Sequence, residues 1–184
     1  MTPASSAEIM STPAPRANRP TGSKALATIS AVWDNRDVGS WREQAVIDAP
    51  LEEVWKLVGD PRRYPEWAES FVEMTGPPQI ERGSRYESVT RSPDHDEFHT
   101  TFEVETLDDM HEIQLRCLDS GWYSRYVLTE AGGATFADVE IGMEPRTEQF
   151  RQVDEVYSKR WYRRVAQGSL DGIRRVLARE SARS

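Results

Sequence analysis

The sequence predicts an α+β domain in which an antiparallel meander of strands is covered by one long C-terminal helix. Three observations carry this. A stretch from residue 51 has the apolar spacing of a short helix, the residues after it alternate apolar with polar between turn signals, and residues 147–178 return to a helical stripe.

Ala45-Val46-Ile47 reads as the end of a strand, and Pro50 stands where a first helical position tolerates a missing donor. Leu51, Val54, Trp55 and Val58 then share one helical face, with Glu52 and Glu53 suiting the positive end of the helix dipole. Asp60-Pro61 stops that helix, because a residue before proline is pushed away from helical angles. Tyr64-Pro65-Glu66-Trp67 turns the chain with two large rings on the bend.

The strands follow. Residues 69–75 form a short one, Gly76-Pro77-Pro78 breaks it, and residues 85–91 form the next. After the polar turn Ser92-Pro93-Asp94-His95-Asp96, one face carries Phe98, Thr100, Phe102, Val104 and Thr106. Residues 111–118 and 122–129 make two more strands, and Ala131-Gly132-Gly133 turns into a last one with Thr135, Ala137, Val139, Ile141 and Met143 on one side. Such a meander needs cover on one face. Along residues 147–178, Val153, Tyr157, Trp161, Val165, Gly168, Gly172 and Val176 form the stripe expected to supply it.

Ile47, Ala49, Pro50, Val54 and Trp55, followed by Asp60, Pro61, Pro65 and Trp67, carry a family resemblance. This window resembles the opening of the SRPBCC or START-like superfamily, within it the polyketide cyclase/dehydrase-like group, and the layout extends the likeness over roughly residues 40–180. The resemblance implies a helix-grip fold, a curved antiparallel sheet wrapped around a long C-terminal helix, with a cavity between the two. It names no reaction, since one fold hosts many chemistries.

Two details point to a cavity without the resemblance. Gly168 and Gly172 sit inside the helix, where each glycine costs about 1 kcal/mol against alanine. Either the sheet backbone approaches closely there or the glycines leave room for a ligand. The second detail is the mixed aromatic and polar character of the strands: Tyr86, Ser88 and Thr90 share one face, as do Trp122, Ser124, Tyr126 and Leu128. These rings either fill a large sheet or line a pocket of mostly apolar walls with a few polar groups. A one-residue slip in register would send Tyr123 and Arg125 inward instead.

Composition bounds the function. A hydrophobic share of 38% with six Trp, six Tyr and five Phe supports a real interior, and the net charge of −8 argues against nucleic acid and anionic membrane surfaces. Lys159, Arg160 and Arg163 are spread around a helix in an acidic chain and read as ordinary surface, whereas Arg164 lies near the inward stripe, where a guanidinium could hold a ligand carboxylate or enolate. The single Cys117 excludes an intrachain disulfide and reads as a small buried hydrophobe; with no signal-like apolar core, a cytoplasmic protein is expected. No run reaches the roughly 18 apolar residues of a spanning helix, so no integral membrane association is expected. Residues 1–24, with four prolines and no apolar period, predict a disordered tail, and residues 25–184 a single START-like ligand-binding domain in which residues 25–33 dock as an anchor, ahead of a role as lid or dimer contact. Oligomeric state is left open.

Catalytic signatures are absent: there is no H-E-x-x-H, C-x-x-C, G-x-G-x-x-G or G-x-S-x-G. His95 and His99 would stand about 13 Å apart on a strand, too far to share an ion, so neither a metal nor a cofactor is expected. The leading expectation is binding of a hydrophobic or aromatic small molecule by Trp67, Tyr86, Phe102, Trp122, Ser124, Tyr126, Trp161, Arg164, Val165 and Gly168. The alternative is an aromatase/cyclase acting on a polyketide-like substrate, with Arg125 stabilising an enolate and Tyr126 and Tyr86 moving protons. A third reading is a protein-interaction module or a lipid or quinone chaperone.

Overall fold

A computed structural model of the protein describes residues 39–91 and 96–183. The expected tail over residues 1–24, the segment 25–33 and the turn residues Asp94 and His95 lie outside the described residues, as does the side chain of Tyr157. The elements run β1 (Ser40–Ile47), α1 (Leu51–Val58), a 3-10 turn (Pro61–Arg63), α2 (Tyr64–Trp67), β2 (Phe71–Thr75), β3 (Arg85–Arg91), β4 (Glu97–Asp108), β5 (Glu112–Cys117), β6 (Trp122–Ala131), β7 (Ala134–Met143) and α3 (Glu148–Ser181).

The strands form one curved, open antiparallel sheet in the order β1-β7-β6-β5-β4-β3-β2. Sequential hairpins account for every pairing from β2 to β7, and β1 closes the other side against β7. The last hairpin turns on Gly132 and Gly133, both at positive φ (65° and 91°), the backbone that a two-residue turn needs and glycine adopts without steric cost. This is the helix-grip α+β architecture expected from the sequence.

One face of the sheet is dry: Tyr86, Phe102, Val104, Ile113, Leu115, Tyr126, Leu128, Val139 and Ile141 are all buried. The other carries ion pairs across neighbouring strands. Arg42 Nε and Gln44 Nε2 donate to Asp138 at 2.6 and 2.8 Å, Arg125 Nε to Glu112 at 2.8 Å, and Arg116 Nε to Glu105 at 2.7 Å. Two register shifts interrupt the ladder, between Phe71 and Glu73 and between Val104 and Thr106. The second corrects the expected β4 pattern: the extra residue puts Leu107, opposite Ile113, against the core in place of Thr106.

The bend after α1 is more ordered than the sequence suggests. Asp60 caps the 3-10 turn through the Arg62 backbone N–H at 3.0 Å, and Tyr64 to Trp67 then coil into α2. This short helix docks on the C-terminal half of α3. A Cβ on Gly172 would lie 1.8 Å from the Trp67 carbonyl oxygen, and Arg63 Nη2 bridges Glu66 (2.7 Å) and Glu180 (2.6 Å). Gly172 therefore serves close backbone packing, whereas a Cβ on Gly168 meets nothing within 4 Å.

The stripe on α3 is rotated from the expected one. Asp154, Tyr162, Ala166, Ser169, Leu170, Ile173 and Val176 are buried, while Trp161, Val165 and Gly168 are half-buried flanks and Val153 is 38% exposed. Small side chains at Ala166 and Ser169 let the helix approach the sheet, and that approach decides the face more than the largest apolar residues do. Arg164 is exposed on the far side, so the expectation that it points inward is overturned.

Candidate functional site

Because α2 packs against the C-terminal half of α3, the space between sheet and helix stays open nearer the N-terminal half. A cavity of about 470 Å³ lies there, within the range of small-molecule sites. The strand period builds its wall: Phe98, Thr100 and Phe102 are every second residue of β4, and all three line it. Phe71 from β2, Trp122 from β6 and Phe150, Val153, Trp161 and Tyr162 from α3 complete the apolar lining.

Three rings, Phe71 and Phe102 buried and Trp122 half-buried, make a corner of the wall. Phe71 and Phe102 stand 5.3 Å apart, Phe71 and Trp122 6.0 Å, and Phe102 and Trp122 5.8 Å, all tilted or edge-on. Cys117 is buried beside them on the lining. Towards solvent the wall turns polar, with Asp96, His99, Asp119 and Gln149 exposed, although Phe98 there is also 51% exposed.

Tyr162 supplies the most distinctive polar group. Its hydroxyl donates to Asp154, whose side chain is only 4% exposed. Burial, and then the neighbouring carboxylate, push the Tyr162 phenol well above its ordinary range. The phenol therefore holds its proton at neutral pH. A phenol anchored in this way keeps one orientation and leaves its oxygen able to accept a further hydrogen bond.

Of the residues expected to bind a ligand, Phe102, Trp122 and Trp161 line the cavity. Trp67, Tyr86, Ser124 and Tyr126 face the same side of the sheet but are packed in the solid core rather than on the lining. Trp67 lies 4.5 Å from Tyr64 and 5.4 Å from Tyr126, ring to ring. The Tyr86 hydroxyl donates to the Pro77 carbonyl at 3.1 Å, and the Tyr126 hydroxyl to Ser169 at 3.4 Å. Burial pushes the Tyr126 phenol up to about 12, opposed by the Ser169 and Ser124 hydroxyls.

Arg125 is the clearest departure. It alternates with Ser124 and Tyr126, so it projects from the opposite face, where Glu112 takes two of its donors at 2.8 and 3.1 Å. An enolate in the cavity is out of its reach. Arg164, Val165 and Gly168 do not line the cavity either. The lining residues that sequence reasoning missed include Phe71, Phe98, Phe150 and Tyr162. The β4 alternation already pointed to Phe98, whereas no sequence signal links Tyr162 to Asp154. Among the described residues no group of three His, Cys, Asp or Glu side chains could hold a metal ion, and no helix is long and apolar enough to cross a membrane.

The family described as polyketide cyclase/dehydrase and lipid transport matches residues 39–178. No curated protein matches the sequence. Among solved structures, the Zhui aromatase/cyclase of Streptomyces sp. R1128 is similar at TM-score 0.62 and 12% identity, covering 77% of this chain and 94% of that one. TTHA0849 of Thermus thermophilus is similar at TM-score 0.63 and 15% identity, covering 77% and 99%. Protein Ms6760 of Mycobacterium smegmatis reaches 22% identity at TM-score 0.55, covering 78% and 94%. At these identities the likeness is one of fold.

Proposed function

Because this chain belongs to the polyketide cyclase/dehydrase and lipid transport family, we propose that it binds a mostly apolar, ring-bearing small molecule between its sheet and α3. The observation that carries this reading is the cavity of about 470 Å³ with the Phe71, Phe102 and Trp122 corner in its wall. Edge-on rings at these spacings grip a flat apolar guest by dispersion and by burial of its faces. The polar groups near the solvent side suit a ligand with one wet end. Native mass spectrometry of the purified protein, followed by denaturation and analysis of what is released, tests it. A stoichiometric aromatic or polyketide-like compound is expected. Failure of any such compound to be retained or to bind on addition would count against it.

A second reading, an aromatase/cyclase, is favoured by the Tyr162 and Asp154 pair. A substrate enol could pass its proton to the Tyr162 oxygen while Tyr162 passes its own to Asp154, leaving an enolate ready to form a carbon–carbon bond. The carrier reading needs no such relay. Turnover of a poly-β-ketone that disappears in Asp154→Asn, with binding retained, would select the enzyme; equal turnover in the variant would remove this relay.

A further inference from the structure

β4 carries the cavity wall out into solvent. Phe98, Thr100 and Phe102 point to one face of the strand and all line the cavity, yet their exposure falls steeply along the row. Phe98 is 51% exposed, Thr100 is half-buried and Phe102 is 2% exposed. The β3–β4 ladder is regular over this stretch, pairing Phe98 with Thr90 and Phe102 with Tyr86. At roughly 3.3 Å per residue, the two phenylalanines therefore stand about 13 Å apart along the strand.

A single exposed apolar side chain is common and means little, but several at the opening of one cavity mark a binding surface. α3 supplies the others. Phe150 is half-buried and Val153 is 38% exposed; they stand three residues apart, on one side of the helix, and both line the same cavity as Phe98. The open part of the wall thus carries apolar groups from strand and helix alike, set among the exposed polar side chains of Asp96, His99 and Gln149.

We propose that Phe98, Phe150 and Val153 form an outer apolar subsite, so that the cavity selects an elongated guest, about 13 Å long and reaching from Phe102 to Phe98, over a compact guest of the same atoms. The inference rests on the reading of the cavity as a ligand site and names the shape it prefers. A compact guest fills the inner corner at Phe71, Phe102 and Trp122 and leaves the outer side chains wet. A longer one covers them too, removing its own apolar surface and theirs from water, which is worth up to about fourfold in affinity per methylene group buried. Its polar end then lies among the polar side chains of the opening, where it keeps its hydrogen bonds.

The test compares two isomers, 4-hexylphenol and 3,5-diisopropylphenol, which share one ring, one hydroxyl and the same atoms but differ in length. Each is titrated into the full chain by isothermal calorimetry. The wild type should bind 4-hexylphenol about tenfold more tightly, the scale of two buried methylene groups. Phe98→Ser should bring 4-hexylphenol down to the affinity of 3,5-diisopropylphenol and leave the latter unchanged. Phe98→Leu, which keeps apolar area at the same place, should retain most of the preference. Position 98 is exposed, so both variants should fold, and thermal melts report that they do. Equal affinities in the wild type, a preference that survives in folded Phe98→Ser, or one lost as fully in Phe98→Leu would overturn the outer subsite and leave the cavity reading standing. Binding of neither isomer would overturn the cavity reading and the subsite with it.

Discussion

Tyr162 donates its hydroxyl to the carboxylate of Asp154, eight residues earlier on the same helix, and so joins a buried acid to the wall of the cavity. A buried carboxylate is tolerated only when hydrogen bonds replace the water it has lost. The bond therefore holds α3 in shape where it borders the open space, as well as offering a proton path.

Tyr162→Phe should lower stability by about 1–3 kcal/mol, because it strips a donor from a buried carboxylate and keeps the ring. Asp154→Asn should cost less, since an amide oxygen still accepts. Urea denaturation of the two variants checks the order. A phenylalanine variant as stable as the wild type would mean that Asp154 does not depend on the phenol.

Alkaline pH should unfold the protein. Burial raises the phenols of Tyr64, Tyr86, Tyr123, Tyr126 and Tyr162 above the ordinary value of 10.0, with Tyr126 at about 12. In the unfolded chain they ionise near the ordinary value, so above it the unfolded state binds fewer protons than the folded one. The stability these groups contribute is complete below pH 10 and is lost as pH climbs through the raised folded values. Urea midpoints measured at increasing pH should fall in that window. A midpoint that stays level there would show that the tyrosines titrate alike in both states.

Two glycines on α3 should respond in opposite directions. Gly172→Ala drives a methyl group into the Trp67 carbonyl and should cost about 1–3 kcal/mol through overpacking. Gly168→Ala meets no neighbour within 4 Å and should gain up to about 1 kcal/mol from helix propensity. Parallel chemical denaturation of the two variants separates them, and a destabilised Gly168→Ala would contradict the open space at that position.

Arg125→Gln should leave ligand affinity unchanged and cost about 1 kcal/mol or less, since its guanidinium serves a partly exposed ion pair with Glu112 on the far side of the sheet. Calorimetric titration of a bound ring compound against both proteins checks it. A large loss of affinity would put Arg125 back in the site.

Much of the fold is legible in the sequence because it rests on local rules. The period-2 run from Phe98 to Val104 and the paired glycines at 132 and 133 each dictate one conformation, and the window from Ile47 to Trp67 carries the family likeness. The misreadings share a physical origin in contacts made across the fold. Periodicity alone places the α3 stripe on Val153, Trp161 and Val165, yet the close approach of Ala166 and Ser169 to the sheet turns it by about one residue. Likewise, Trp67 and Tyr126 have the residue types of a ligand site, but α2 folds down and fills the space around them. Thr106 loses its expected place to a bulge that no period could announce.

The open sheet ends on β2, five residues long and broken by a register shift between Phe71 and Glu73. The border strand of any open sheet is a template on which a foreign strand can grow. Here the run of evenly spaced donors and acceptors is too short and too crooked for a second strand to zip along it, and the bulge twists the rest away. The kink that helps bring Phe71 to the cavity wall thus also blunts this edge against the addition of a foreign strand.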